Sequence, residues 1–192
     1  MKTYAAYAIG AALVDTELEV DDNDLTAMQV DKGMMTLVDE ARQAELLGHL
    51  KDHLIRASHA SGGSAGNSMI ATALFGAPTF MSCKVANDTD GDIYLGDLEN
   101  SGVAHSLRDK RGEGTTGKCI VLITPDAERS LNTFLGVSET LSIAEVDEAA
   151  IADSDWVYLE GYLVTSPTGL AAAIHTRETA ERCGVKTAIS FS

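Results

Sequence analysis

The order of hydrophobic and polar positions along the chain predicts strands that alternate with helices. The runs that predict core strands lie at residues 4–9, 79–85, 119–124, 156–159 and 185–191. The segments with helical periodicity or helix-capping residues lie at residues 39–54, 69–75, 91–100, 143–151 and 167–183. This alternation predicts an α/β fold with a parallel sheet and right-handed crossovers.

A different pattern follows the first core strand, because polar and apolar residues alternate there one by one. Residues 16–20 and 28–30 alternate in this way, as strands with one face in water do. We therefore expect a small β-sheet to be inserted after the first core strand, within residues 16–37.

A glycine-rich turn, Ser61-Gly62-Gly63-Ser64-Ala65-Gly66-Asn67, precedes the helix predicted at 69–75. Adjacent glycines allow positive φ and a close approach of a ligand to the main chain, and the start of a helix presents free N–H groups. The amide of Asn67 can both donate and accept hydrogen bonds, which suits a polyhydroxylated ligand. The pattern also fits a tight loop before a buried helix. Its glycine spacing matches neither the dinucleotide fingerprint nor a Walker A loop.

Two acidic residues follow predicted core strands, at the sheet edge where α/β proteins bind ligands. Asp15 comes just after the first strand and Glu160 ends the strand at 156–159. Asp15 fits either a hydroxyl acceptor or a solvated turn residue. Arg129, in the polar turn after residue 124, could reach a ligand, pair with Glu128 or lie in solvent.

Composition narrows the class of partner. A net charge of −15 and a pI of about 4.5 exclude a nucleic-acid or anionic-membrane surface, because those partners require a basic patch. The three cysteines are widely spaced without a Cys-x-x-Cys pair, which favours reduced thiols in the cytoplasm. The apolar N-terminus ends in Asp15 without a cleavage site, so a buried strand is predicted there and not a signal peptide.

Two motif matches are rejected. Residues 112–118 match Gly-x-x-x-x-Gly-Lys, but Cys119 replaces the final Ser/Thr and a strand follows where a P-loop requires a helix. We predict a hairpin tip there. His49 and His53 lie four residues apart but lack the Glu and the third ligand of a zinc site, so a solvated helix face is predicted.

Seven short motifs follow one another along the chain, at residues 10–15, 32–35, 61–67, 84–91, 116–117, 124–129 and 159–162. In order and kind they resemble the N-terminal part of the ribokinase-like, or PfkB, carbohydrate kinases, and most of all the adenosine-kinase-like sugar kinase branch. The resemblance implies a doubly wound α/β core with a small β-sheet lid, formed here by about 16–37 and 105–124. It places the whole chain, residues 1–192, in the N-terminal part of one kinase domain.

The resemblance also implies an activity, the phosphorylation of a hydroxyl on a sugar or nucleoside by ATP with Mg²⁺. Residues matching Asp15, Gly62, Gly63 and Asn67 hold substrate hydroxyls in this family. Residues matching Arg129 and Glu160 lie near the substrate or the phosphoryl-transfer region. A homodimer formed through the lid is kept as an open option.

Two departures from the family pattern limit these expectations. Ala11 stands where the branch has Asn, which leaves the identity of the sugar or nucleoside open. The Gly-Ala-Gly-Asp motif of the catalytic base and the Asn-x-x-Glu motif associated with Mg²⁺ do not occur. We therefore expect the C-terminal half of the domain to be absent and the chain alone to hold only the acceptor side, without useful kinase activity. The alternative is a non-catalytic sugar-binding or regulatory module.

Overall fold

Ten strands and six α-helices lie in the part of the chain that the computed structural model describes, residues 2–51, 58–107 and 111–191. The strands are β1 (Tyr4–Ile9), β2 (Leu13–Glu19), β3 (Met35–Leu37), β4 (Ser58–Gly62), β5 (Thr79–Ser82), β6 (Val103–Ala104), β7 (Gly117–Ile123), β8 (Arg129–Phe134), β9 (Ser154–Glu160) and β10 (Lys186–Ser190). The helices are α1 (Asp22–Ala27), α2 (Glu40–His49), α3 (Ser64–Leu74), α4 (Thr89–Asn100), α5 (Glu148–Ala152) and α6 (Pro167–Arg182). Short 3₁₀ turns occupy Gly136–Thr140, Ile143–Glu145 and Gly161–Thr165.

The first sheet is parallel throughout and has the strand order β10-β9-β1-β5-β6. Helices α3 and α4 cover one face, where Ala8 packs with Met69 and Leu98. Helices α5 and α6 cover the other face, where Tyr7 packs with Ile151. Because helices cover both faces of this sheet, β1 is buried on both sides, as its continuous apolar sequence predicts. The expected doubly wound, mostly parallel α/β fold is confirmed.

The second sheet has the order β3-β8-β7-β2-β4 and mixes parallel with antiparallel pairs. One of its faces packs against α1 and α2, where Leu18 and Ile120 meet Leu46. Besides strands from the two segments predicted for the lid, this sheet contains β4 and β8. That it moves as a lid, or pairs with a second copy, stays a prediction.

Two local predictions are wrong. Residues 28–30 are not a strand. A capping box between Asp21 and Asp24 starts α1, and Met28 is the C-cap of that helix, so the helix occupies the approach to this segment. Residues 112–119 are not a hairpin tip. Gly112 instead forms a parallel bridge with Ala86, and the hairpin joins β7 to β8 further on.

Other element boundaries follow the predictions with small shifts. Ser166 caps α6, Pro167 begins it, and Gly184 follows it with φ of +66°, as expected. The capping box of Ser142 and Glu145 starts a 3₁₀ turn, and α5 begins only after Asp147. Helix α2 ends at His49 with Leu50 as its C-cap, so residues 50 and 51 do not continue it as predicted. Residues 52–54 of the predicted helix, including His53, lie outside the described residues.

Asp88 links the start of α4 to the second sheet. Its carboxylate accepts hydrogen bonds from the backbone N–H of Gly91 and from both the N–H and the hydroxyl of the fully buried Thr116. Burial raises the pKa of this carboxyl, but the hydrogen bonds outweigh burial and hold its pKa below the ordinary value. The ionised Asp88 therefore fixes the segment that leads into β7.

Nothing in the described ranges of the chain is a helix long and apolar enough to cross a membrane.

Burial decides which leucines stabilise this fold. Leu98 in α4 is fully buried, whereas Leu74 at the end of α3 is 71% exposed. Leu98→Ala should lower the free energy of unfolding by about 2–5 kcal/mol through lost apolar contacts and a cavity. Leu74→Ala, the matched control, should change it by less than about 0.5 kcal/mol. Urea unfolding followed by circular dichroism measures both, and equal effects would contradict the packing described above.

Candidate functional site

A cavity of about 340 Å³ lies between the carboxyl end of β1 and β9 and the face of the second sheet opposite α2. Its wall is formed by both sheets and by the start of α3. The lining residues are Ala11, Leu13, Asp15, Met35, Leu37, Gly63, Ser64, Asn67, Cys119, Arg129, Leu131, Thr133, Leu135, Glu160 and Tyr162. Its volume is at the lower end of the range for small-molecule sites.

The glycine-rich turn delivers the start of α3 to this cavity. Gly62 ends β4, and Gly63 is the N-cap, so α3 begins at Ser64, earlier than the apolar pattern at 69–75 indicates. Gly63 has φ of +87°, and a Cβ there would lie 2.5 Å from the carbonyl oxygen of Ala11. Glycine is therefore required for both the backbone conformation and the close approach. Asn67 lies exposed in the first turn of α3.

Asp15 lies within β2, where it is paired with Ala60 of β4 and Cys119 of β7, and not in a turn after β1. Its carboxylate packs directly on Gly62, since a Cβ at Gly62 would lie 2.1 Å from Oδ1. Among residues 2–51, 58–107 and 111–191, none donates a hydrogen bond to this carboxylate. Asp15 thus presents an acceptor to the cavity.

Burial raises the pKa of Asp15 to about 6, and the positive charge of Arg129 only partly offsets this effect. The nearby carboxylate of Glu17 raises the pKa further. Hydroxyl groups that donate hydrogen bonds to this partly buried carboxylate would stabilise its ionised form.

Arg129 is the first residue of β8 and lies at the rim of the cavity. Its Nη2 lies 2.9 Å from Oε1 of Glu17, so its ion-pair partner is Glu17 and not Glu128. Both side chains are about half exposed, and such a pair contributes little to stability. The positive charge of Arg129 is therefore already paired with Glu17 at the rim of the cavity.

Glu160 ends β9 and is only 2% exposed. Its Oε2 accepts a hydrogen bond of 2.6 Å from the backbone N–H of Ala11. Its Oε1 accepts from the hydroxyl of Ser64 at 2.7 Å and from the N–H of Ala65 at 3.1 Å. The protein itself therefore provides three donors to this carboxylate.

The lining of the cavity combines a polar part, which includes Asp15, Gly63 and Asn67, with an apolar part. The apolar part consists of aliphatic side chains from β2, β3, β8 and the residue that follows β8. These aliphatic residues are Leu13, Met35, Leu37, Leu131 and Leu135.

Of the six residues predicted from the sequence, five line the cavity, and Gly62 supports it by leaving room for Asp15. What each of them does toward a ligand stays a prediction. Sequence reasoning missed the aliphatic part. The alternation of Arg129, Leu131 and Thr133 along β8, continued by Leu135 just after the strand, was the available signal, since alternate residues of a strand lie on one face.

The comparisons with known proteins give the family. The sequence model of the pfkB family carbohydrate kinases matches residues 27–189, and the chain belongs to this family. The crystal structure of a probable sugar kinase from Rhizobium etli CFN 42 is 32% identical, with a TM-score of 0.89 over 98% of this chain and 56% of that one. An adenosine kinase from Sinorhizobium meliloti is 34% identical, with a TM-score of 0.89 over 99% of this chain and 57% of that one.

A more distant relative is a ribokinase of Mus musculus, which is 25% identical over 126 residues, or 66% of this chain and 38% of that protein. The resemblance noted in the sequence is therefore confirmed. The chain spans little more than half the length of the similar structures.

Gly63 is expected to be the least replaceable glycine of the site. Gly63→Ala should lower the free energy of unfolding by about 1–3 kcal/mol, because an L-residue is strained at its φ and its Cβ would meet the Ala11 carbonyl. Gly48→Ala is the control, since nothing lies within 4 Å of the added Cβ in α2. That change should stabilise by about 0.5–1 kcal/mol. If urea unfolding shows the same effect for both, the close approach at Gly63 is not real.

Asp15 is expected to make stability depend on pH. Folding raises the pKa of Asp15 from 3.8 to about 6. The protonated carboxyl therefore stabilises the folded state fully below pH 3.8, and this contribution is lost as the pH rises through about 6. Asp15→Asn cannot ionise, so it should be more stable than the wild type near neutral pH. The difference should disappear as the pH falls toward about 4.

Urea unfolding at a series of pH values measures this effect. Asp155→Asn, at an exposed position, is the matched control and should show no such trend. A wild type as stable as Asp15→Asn near neutral pH would contradict the burial of this carboxylate.

Proposed function

We propose that this chain forms the acceptor side of an ATP-dependent kinase that phosphorylates a hydroxyl of an uncharged nucleoside or sugar. The observation that supports this most is the contact of the Asp15 carboxylate with Gly62, next to the bare backbone of Gly63 at the same cavity. Family membership supplies the reaction class.

The polar part of the cavity suits vicinal hydroxyl groups. Asp15 has no donor among the described residues and would accept hydrogen bonds from ligand hydroxyls. Gly63 lacks a side chain, so a sugar ring can approach the main chain there. Asn67, in the first turn of the helix that Gly63 caps, adds a hydrogen-bond donor and an acceptor. These groups would hold one face of a sugar ring.

Charge favours an uncharged ligand. Asp15 and Glu160 both lie at the cavity, and Arg129 is already paired with Glu17. A sugar acid or a sugar phosphate would meet these carboxylates, and among the described residues that line the cavity the one cation is Arg129, which is paired with Glu17. An uncharged polyol meets no such penalty.

The apolar part of the cavity favours a nucleoside over a free sugar. A free pentose has polar groups on every side, and the aliphatic side chains of Leu131 and Leu37 would leave some of them without partners. A nucleoside places its hydroxyls at Asp15 and its flat base against those side chains. The similar protein from Sinorhizobium meliloti is described as an adenosine kinase, which agrees with this assignment.

We propose no residue of the described ranges as a ligand of ATP or Mg²⁺. No group of three or more His, Cys, Asp or Glu side chains within residues 2–51, 58–107 and 111–191 is arranged to hold a metal ion. Bound ATP would supply the phosphoryl group and Mg²⁺ would neutralise its charge. The sequence also lacks the Gly-Ala-Gly-Asp motif of the family's catalytic base. We therefore assign to these residues the positioning of the acceptor, and no phosphoryl-transfer step.

A non-catalytic binding module is not favoured as an alternative, because the similar proteins described above are kinases by name.

Isothermal titration of the 192-residue chain with adenosine, ribose and gluconate tests the proposal. Adenosine should bind most tightly, ribose more weakly and the anionic gluconate not at all. Asn67→Ala should weaken adenosine binding roughly three- to tenfold, the usual effect of losing neutral hydrogen bonds. Asn100→Ala, exposed at the end of α4, is the matched control and should bind like the wild type.

With ATP and Mg²⁺ added, the same chain should transfer no phosphoryl group to adenosine at a useful rate. Absence of binding by adenosine and ribose would overturn the acceptor-site assignment. Ribose binding as tightly as adenosine would overturn the nucleoside part alone, and robust phosphorylation would overturn the assignment of the acceptor side only.

A further inference from the structure

The carboxylate of Glu160 lies between two backbone segments that build the cavity. One segment is the connection from β1 to β2, which contains Gly10 and Ala11, and the other is the start of α3. Oxygen Oε2 accepts from Ala11 at 2.6 Å, and Oε1 accepts from Ser64 and Ala65. The three donors come from residues 95 to 149 positions away along the chain.

A glycine leaves room for this carboxylate. A Cβ at Gly10 would lie 2.7 Å from Oε2 and 2.5 Å from the side chain of Ala65. The missing side chain at Gly10 thus allows Glu160 to reach the buried backbone N–H groups of Ala11 and Ala65.

The two segments joined by Glu160 carry the ligand-facing groups. Ala11 leads into β2, which presents Asp15, and Ser64 and Ala65 begin the helix that presents Asn67. Glu160 itself is fixed by the pairing of β9 with β1, in which Leu159 lies opposite Ile9. One side chain therefore sets the distance between the first sheet, the second sheet and α3.

Glu160 also occupies the positive end of α3. A carboxylate at a helix N-terminus is stabilised by the free N–H groups there and offsets their charge. With Ala65 N–H already donating to Glu160, this helix end attracts an anionic ligand less. This agrees with an uncharged acceptor.

We propose that Glu160 is a positioning residue that holds the β1–β2 connection and the start of α3 in their binding geometry and makes no hydrogen bond to the ligand. This rests on the proposed acceptor-binding function of the same cavity. It assigns Glu160 a different task from Asp15, although both are carboxylates at one cavity.

Glu160→Gln tests the proposal with little change in shape. The amide oxygen can replace Oε1 and keep the bonds from Ser64 and Ala65, but its NH₂ group then faces the N–H of Ala11, donor against donor. In the ligand-free chain, hydrogen exchange at Ala11 should become roughly tenfold faster or more, as expected for losing a hydrogen bond to a charged acceptor. Asp155→Asn, at an exposed position, is the control and should leave exchange at Ala11 unchanged.

Ligand binding then separates positioning from direct contact. Adenosine should bind to Glu160→Gln roughly tenfold more weakly than to the wild type. The same factor should hold for 2′-, 3′- and 5′-deoxyadenosine, because no single ligand hydroxyl is bound by Glu160. For Asp15→Asn, in contrast, the loss should vanish with the analogue that lacks the hydroxyl bound by Asp15.

Three outcomes overturn the proposal. A Glu160→Gln loss that vanishes for one deoxy analogue shows direct contact with that hydroxyl. A lower Tm with wild-type affinity shows a role in stability alone. Unchanged exchange at Ala11 shows that the hydrogen bond is absent. If the wild type binds no nucleoside, the proposed function fails, and the exchange measurement still decides whether Glu160 holds the β1–β2 connection.

Discussion

The chain passes from the first sheet to the second within three residues, Gly10, Ala11 and Ala12, and all three are buried. Buried backbone N–H groups need partners, and this short segment has no strand neighbour to provide all of them. Gly10 N–H donates to the carbonyl of Ser82, Ala11 N–H to Glu160, and Ala12 N–H to the hydroxyl of Ser138. Side chains from distant parts of the chain therefore stabilise the crossing.

This crossing determines where the cavity lies. Because β2 begins immediately after it, Asp15 faces the start of α3 and not the solvent beyond β1. The carbonyl of Ala11 also requires a glycine at position 63, since no Cβ fits there. The bare backbone that suits a polyhydroxylated ligand is thus a consequence of the way in which the two sheets are joined.

The sequence predicts the periodic parts of the molecule well. Strand β1 and helix α6 have strong local signals, a continuous apolar run and a Ser166–Pro167 start, and both are found at the expected residues. The family motifs identify five residues that line the cavity. Residues 28–30 show the limit of pattern reading, because a three-residue alternation is weaker than the capping box that starts the preceding helix.

The partners of the charged groups could not be predicted, because they depend on long-range geometry. Arg129 pairs with Glu17, which lies 112 positions away, and not with its neighbour Glu128. Asp15 was expected after a strand and lies inside one, because the inserted sheet begins earlier than residue 16. The local sequence identifies the charged residues, whereas the crossing between the two sheets determines which residues lie next to them.

The start of α3 shows why this distinction matters for function. A glycine turn before a helix indicates an anion site when its N–H groups are free. Here a residue from β9 supplies the negative charge, so the anion at this helix end belongs to the protein. The turn alone therefore does not indicate a phosphate site, which agrees with the uncharged hydroxyl ligand of the proposed function.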